Sequence, residues 1–219
     1  MSQPLPDLAA YPQFHRALVV LFLIQFLSWS GMFALWITAI PVVAGQVLHL
    51  GTQDAAGLQP AVVAVSLGFA TYALLGTLGG FVVPGLIRRI GYGWVYGAAL
   101  LIGAIGLALF GRAHGGGALV PAFMAIGVGW SAMGSIPYGL LSKLVPEGRG
   151  AHYTRLFGFS TVLPQLVTTL GLALLAPRLF GAHLSDALLI GAGAMALGGL
   201  IAILARGLFA PADAVEDNW

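Results

Sequence analysis

Long apolar stretches, separated by short polar connectors, dominate the pattern of hydrophobic and polar positions along this chain. A helix needs roughly 17–25 apolar residues to cross the core of a bilayer. The pattern therefore predicts an all-α membrane protein with six transmembrane helices in one bundle, residues 17–206, flanked by polar tails at 1–16 and 207–219. The predicted crossings are residues 17–48, 60–87, 94–110, 119–141, 156–176 and 187–205.

Composition supports a membrane protein and narrows its function. Hydrophobic residues make up 59% of the chain and charged residues only 7%, too few to cover the surface of a soluble domain of this size. The net charge of +2 does not favour nucleic acid as a partner, so the lipid bilayer is the expected surroundings. Cysteine is absent and the five histidines are scattered, and no acid–base grouping suggests catalysis. We therefore expect no enzyme activity, metal or cofactor.

The distribution of basic residues predicts the orientation of the chain. If the N-terminus is cytoplasmic, seven of the nine Lys and Arg residues fall on the cytoplasmic side and two on the other. Lys and Arg in short loops mark the cytoplasmic face. We expect a protein of the plasma (inner) membrane with both termini cytoplasmic. The seven are Arg16, Arg88, Arg89, Lys143, Arg149, Arg155 and Arg206; the two are Arg112 and Arg178.

The crossings are interpreted as two units of three. Trp29 and Pro41 in the first crossing occupy places loosely comparable to those of Trp130 and Pro137 in the fourth. A unit with an odd number of crossings, repeated once, must be inverted in the membrane, as in many secondary transporters. The sequence thus predicts two inverted three-helix repeats.

Prolines within the crossings predict hinges. A proline inside a helix leaves a carbonyl without its usual donor, and in hydrocarbon this is tolerated where a neighbouring helix or a water-lined cavity supplies one. Pro137 and Pro164 flank the polar loop that joins the fourth and fifth crossings, and Pro41 lies late in the first. These prolines suggest the face of a solute pathway.

The first crossing carries a stripe that suits a sugar. Gln25, Trp29, Met32 and Trp36 follow the i, i+4, i+7, i+11 spacing of one helical face. An amide beside flat aromatic rings can hold the hydroxyls and the apolar face of a glycoside. The alternative is that Gln25 bridges two helices while the Trp side chains only pack or lie in the interfacial belt.

The fourth and fifth crossings supply further candidates for substrate contact. Trp130 and Tyr138 share a glycine-lined face of the fourth crossing, and Gln165 lies in a polar strip beside Pro164. Tight packing alone is the better explanation of the glycines, and Gln165 is as well suited to joining helices as to binding solute. No carboxylate lies within a crossing, so no coupling site for a proton or sodium ion is evident.

A spaced set of segments runs from the fourth crossing into the fifth: SIPYGLLS at 135–142, PE at 146–147, GAHY at 150–153, LF at 156–157 and VLPQ at 162–165. These segments resemble sugar:cation symporters of the major facilitator superfamily, nearest to the sucrose- and maltose-type members of the glycoside:cation group. Gln25 with Trp29 and Trp36 agrees, and Pro84 followed by Arg88, Arg89 and Gly91 is similar to the superfamily's cytoplasmic loop motif. For the two arginines, simple anchoring of topology is the alternative.

The resemblance implies the C-terminal six-helix half of a twelve-helix symporter. The expected function is half of a secondary active transporter for a glycoside-like solute, working by alternating access with a second six-helix half. That half would be a separate chain, an identical copy or a portion absent from this sequence. The alternative is a non-transporting membrane subunit or assembly scaffold derived from a transporter half.

Overall fold

The structure is a computed structural model that describes residues 12–51, 55–145, 150–179 and 184–209. Six long helices and short helical turns, with no strand, account for the regular structure of these ranges, and each long helix is long and apolar enough to cross a membrane. The prediction of an all-helical membrane protein with six crossings is confirmed at this level. The helices are α1 Pro12–Val42, α2 Gln59–Ile90, α3 Tyr92–Gly111, α4 Leu119–Leu144, α5 Gly150–Leu179 and α6 Ser185–Leu204.

Two helix ends differ from the sequence-based expectation. Helix α5 begins at Gly150, so residues 150–155, expected to be loop, form its first turns. Helix α1 begins at Pro12, inside the expected N-terminal tail. Hydropathy marks where a helix enters the apolar layer rather than where it begins, because a helix continues into the polar layer at no cost in backbone hydrogen bonds. Residues 1–11 and 210–219 of the two expected tails, and Glu147 and Arg149, lie outside the described residues.

The end of α1 widens after its proline. Pro41 lies in the last turn of α1, and Val43–Val47 follow as one π-helical turn. The Leu48 N–H donates to the Val43 carbonyl at 2.9 Å, across five residues. Pro41 has no N–H to donate to the carbonyl of Ile37, four residues before it, so the missing bond lies one turn before the π-helical turn. The segment ends at His49, whose φ is 52°.

Gly91 alone separates α2 from α3. Its φ of 82° and ψ of 165° lie in a region that only glycine enters readily. The Gly91 N–H donates to the Ile87 carbonyl at 2.9 Å, and its carbonyl accepts from the Val95 N–H at 3.3 Å. One residue therefore ends one helix and starts the next, so the connection between α2 and α3 is a single tight turn.

Helix α3 occupies the middle of the bundle and packs against both α4 and α6. Helix α6 also packs along α1, while α2 packs on α4 and α5 on α1. Glycines bring the central backbones together: a Cβ added to Gly129 of α4 would lie 3.0 Å from the Cα of Gly103 of α3. A Cβ on Gly191 of α6 would likewise lie 3.0 Å from the Cα of Gly31 of α1. Small residues permit this close approach of membrane helices.

Helices α2 and α5 remain at the edges of the bundle. Only 17% of the apolar span of α2 and 11% of that of α5 is buried, against 61% for α3. Large apolar side chains are exposed along both, for example Phe81 on α2 and Phe159 on α5. The core lies among α1, α3, α4 and α6, and two whole helices have little protein against them.

Candidate functional site

Aromatic side chains from three helices meet at one place, where α1 touches α4 and α2. Trp130 lies at the centre, with ring centroids 5.5 Å from Trp29, 5.8 Å from Trp36 and 5.6 Å from Tyr72. The planes cross at 69–82°, the edge-to-face geometry that aromatic quadrupoles favour. Phe33 packs edge-on against Trp36 at 5.2 Å. We call these five residues the aromatic cluster.

The sequence positions the aromatic cluster through helical spacing and one glycine. Trp29, Phe33 and Trp36 are spaced by four and three residues on α1, so they lie one above another on the same face. On α2, Gly76 leaves the space that the Trp130 indole fills, since an added Cβ there would approach Trp130 Cδ1 at 2.5 Å.

Gln25 lies one turn before Trp29 and is fully buried. Its Oε1 accepts a hydrogen bond from the Tyr96 hydroxyl of α3 at 2.9 Å. This contact is the interhelical bridge that sequence analysis gave as the alternative to solute binding. The Gln25 Nε2 and Trp29 Nε1 atoms are both buried with no hydrogen-bond partner. Two neighbouring N–H donors on α1 thus have no acceptor.

The remaining candidate contact residues lie apart from the aromatic cluster. Tyr138 of α4 is 44% exposed and packs edge-on against Phe157 of α5, with ring centroids 5.6 Å apart. Gln165 is exposed on α5 with Pro164 buried beside it. The structure therefore brings Trp29, Trp36 and Trp130 together, with Gln25 adjoining them. Tyr138 and Gln165 are exposed at the surface of the bundle.

Of the three prolines predicted as hinges, only Pro41 lies next to a change in helix type. Helix α4 runs through Pro137 and α5 through Pro164 without interruption, whereas Pro41 precedes the π-helical turn. Gly91 forms the tight turn that was expected of it. Arg88 and Arg89 are exposed in the last turn of α2, where cations interact favourably with the helix dipole.

The aromatic cluster and the adjoining Gln25 carry groups that can bind a ligand. These groups are flat ring faces, a phenolic hydroxyl and the unpaired N–H donors of Gln25 and Trp29. Among the described residues, no group of three or more His, Cys, Asp or Glu could hold a metal ion. The only carboxylate in the described ranges is Asp186, in the first turn of α6, far along the chain from the cluster. Such a set suits a neutral polyol with apolar faces.

Sequence reasoning missed three polar residues that make contacts between helices. Tyr72 belongs to the aromatic cluster, and Tyr96 holds Gln25. Gln46 donates from Nε2 to the carbonyls of Gly111, at 3.0 Å, and Ala113, at 2.8 Å. Each is a polar side chain in or at the end of an apolar span, and that rarity is the signal that could have drawn attention to them.

Comparison of the chain with family models, with curated proteins and with solved structures gives no match.

Proposed function

We propose that this chain is one half of a secondary active transporter for a glycoside-like solute, which works by alternating access with a second six-helix half. The aromatic cluster and the exposed face of α5 that carries Gln165 would face the solute. The proposal rests on the packing pattern of the six helices, the exposed polar strip of α5 and the chemistry of the aromatic cluster.

The packing pattern supports an inverted repeat. The contact of α1 with α6 has a counterpart in that of α4 with α3, and the contact of α1 with α5 has one in that of α4 with α2. The close glycine pairs follow the same relation, Gly31 with Gly191 and Gly129 with Gly103. Exchange of α1–α3 for α4–α6 thus reproduces the main contacts. Inverted repeats of this kind underlie the alternating access of many transporters.

The exposed polar strip of α5 is the observation that carries the proposal. Gln165 is exposed near the middle of an apolar span, and Thr169 is exposed one turn further on. A side-chain amide in hydrocarbon lacks partners, and such groups usually face the bundle interior or a water-filled cavity. Lipid chains around this strip would leave its polar side chains without hydrogen-bond partners. A second helical half, with an aqueous path between the two, would supply both cover and hydrogen bonds.

The aromatic cluster supports a glycoside as the solute class. The apolar face of a sugar ring packs on an indole, and its hydroxyls accept from N–H donors such as those of Gln25 and Trp29. Both donors are buried and unpaired in this conformation, so they would gain partners only when the helices around them move apart. A ligand that favours one conformation in this way shifts the population toward it.

Charge supports the orientation with both termini cytoplasmic. Arg16, Arg88, Arg89, Lys143, Arg155 and Arg206 lie at the end of the bundle where α1, α3 and α5 begin, and Arg112 and Arg178 lie at the opposite end. An excess of Lys and Arg marks the cytoplasmic side of a membrane protein. The location proposed for this chain is the plasma (inner) membrane.

Water access at position 165 tests the proposal, because the chain has no natural cysteine. We expect Gln165→Cys to react with a membrane-impermeant maleimide in intact membranes, and Leu170→Cys, exposed on another face of α5, to remain unreactive. Added sucrose or maltose should slow the reaction at 165. Equal and negligible labelling at both positions would indicate a lipid-facing or protein-covered strip and would favour the non-transporting scaffold.

Uptake is the second test. Cells that express the chain, alone or with candidate second halves, should accumulate labelled sucrose or maltose. Trp130→Phe should lower this uptake more than Trp94→Phe, because Trp94 lies outside the aromatic cluster. Absence of uptake under every pairing, with the folded protein present in the membrane, would contradict the transport function.

A further inference from the structure

A cavity of about 630 Å³ opens at the end of the bundle where α2 ends and α3 begins. The turn at Gly91 forms part of its wall, and the ends of α4 and α6 close the other sides. Its volume lies within the roughly 300–1,000 Å³ of pockets that hold whole small molecules. Three cationic side chains line it: Arg88, Lys143 and Arg206.

Aromatic rings hold two of these cations in place. Lys143 Nζ lies 5.0 Å from the centroid of the Tyr92 ring, and the Arg206 guanidinium carbon lies 5.4 Å from that of Trp94. Arg206 also donates from Nη1 to the Ile203 carbonyl at 3.1 Å. Cation–π contacts of this type orient a charge without neutralising it. The cavity therefore presents positioned positive charge.

No carboxylate in the described part of the chain balances this charge. The single described acid, Asp186, begins α6, and it lines a different cavity near Arg112 at the opposite end of the bundle. Three cations around one cavity repel one another unless an anion joins them. The first turn of α3 brings backbone N–H groups with partial positive charge to the cavity, while the C-terminal ends of α2 and α4 carry partial negative charge beside Arg88 and Lys143.

The remainder of the lining is apolar. Val83, Ile87, Ile90, Ile136 and Phe209 contribute hydrophobic surface beside the charges. The cavity lies at helix ends that follow directly on apolar spans, which is the depth of lipid headgroups. A free anion gains nothing from hydrophobic walls, whereas a lipid presents a charged head and apolar chains to the two kinds of surface.

We propose that this cavity binds the phosphate of an anionic phospholipid. Phosphate accepts several charge-assisted hydrogen bonds at once, and Arg88 and Arg206 can each donate two parallel bonds to it. The Lys143 ammonium supplies a third charge, and the glycerol and acyl portions of the lipid contact the apolar lining. Basic pockets between membrane helices bind anionic headgroups in this way. The site is independent of any solute that the chain transports.

Lipid-dependent stabilisation of the purified full chain tests the site. The melting temperature is measured in neutral detergent with increasing phosphatidylglycerol, phosphatidylcholine or inorganic phosphate. The test variant is Arg88→Gln with Arg206→Gln, both at exposed side chains. The matched control is Arg89→Gln with Arg155→Gln, which removes the same charge from the same end of the bundle, at exposed residues that do not line the cavity.

We expect phosphatidylglycerol to raise the melting temperature of the unmodified chain and of the control variant at similar concentrations. The test variant should need roughly a hundredfold more lipid, since it loses two charge-assisted hydrogen-bonding groups that each contribute about 1.5 kcal/mol, a factor of about ten. Equal lipid dependence of the two variants would overturn the proposal, because it would reflect only general attraction to the basic end. Saturation by inorganic phosphate alone would overturn the assignment to a lipid, and so would equal stabilisation by phosphatidylcholine.

Discussion

The Tyr96 hydroxyl donates a hydrogen bond to Oε1 of Gln25 at 2.9 Å, and both side chains are fully buried. This bond joins α1 to α3 within the apolar core. It also fixes the Gln25 amide, so that Nε2 has no partner and lies one turn from the equally unpaired Trp29 Nε1. The Gln25 side chain therefore carries both a structural bond and one of the two unused donors.

Removal of this hydroxyl should destabilise the bundle. Tyr96→Phe leaves the whole Gln25 amide unpaired, and interhelical bonds of this type contribute on average about 0.6 kcal/mol and at most about 1.7 kcal/mol. We expect a loss within that range in the free energy of unfolding, measured by titration with SDS in mixed micelles. Tyr138→Phe, which alters an exposed tyrosine, is the control and should cause no change.

A double-mutant cycle separates the bond from its side effects. Gln25→Leu combined with Tyr96→Phe replaces both polar partners, so the pair should be destabilised less than the sum of the single variants. Strict additivity would mean that the bond contributes nothing to stability.

The approach of Gly103 to Gly129 leads to a second prediction. Gly129→Ala places a methyl group against the α3 backbone, at 3.0 Å from the Cα of Gly103, so α3 and α4 must separate. Overpacking of this kind costs about 1–3 kcal/mol, which should appear as a lower melting temperature. Gly134→Ala on the same helix meets nothing within 4 Å and should be neutral or slightly stabilising. A loss at both positions would point to helix flexibility rather than packing as the cause.

Gly91 provides a third prediction, in which backbone conformation is the only cause. Nothing lies within 4 Å of a Cβ added there, yet its φ is 82°. Gly91→Ala should therefore destabilise by about 1–3 kcal/mol through strain alone. Gly80→Ala on α2, also in open space but without a positive φ, is the matched control and should be unaffected. Thermal unfolding of the two variants in one detergent gives the comparison.

Trp130 is the residue whose loss should affect the aromatic cluster most. It contacts Trp29, Trp36 and Tyr72, so Trp130→Ala removes ring contacts with two other helices at once, and large-to-small changes at aromatic positions cost about 3–5 kcal/mol in buried sites. Trp130 is half-buried, so we expect a loss toward the lower end of that range. Trp94→Ala, at a 46% exposed ring, should cost less than half as much in the same unfolding measurement.

Hydropathy was sufficient to predict the six crossings. A segment that spans the bilayer must make all its backbone hydrogen bonds internally, and a long apolar helix is one of the few structures that does so. A short connector between the second and third crossings, at residues 88–93, was also evident, whereas its reduction to the single residue Gly91 was not. These features depend on local sequence alone. They are the part of the fold that one segment determines without its neighbours.

The neighbours of each helical face could not be predicted in the same way. The stripe of Gln25, Trp29 and Trp36 follows from helical spacing, but whether it meets solute, Tyr96 or Trp130 depends on how α1 is rotated in the bundle. In a soluble protein the polar face of a helix lies toward solvent, and so the sequence shows how the helix is rotated. In a membrane protein the lipid-facing and core-facing sides are both apolar, so periodicity does not distinguish them.

Gln46 supplies the last prediction, at the end of the bundle opposite Gly91. Its Nε2 donates to the carbonyls of Gly111 and Ala113, and so it caps the C-terminal end of α3 from the π-helical turn that follows Pro41. Gln46→Leu keeps the size of the side chain but leaves two carbonyls without this donor, at a net cost of about 0.5–1.5 kcal/mol for each bond. Amide exchange should increase at Leu48 and Leu50, whose N–H groups bond within the same turn, while that of α6 stays unchanged. Gln165→Leu makes the same chemical change at an exposed site and should leave both exchange and stability as they are, so an equal effect of the two variants would show that Gln46 does not tie α1 to α3.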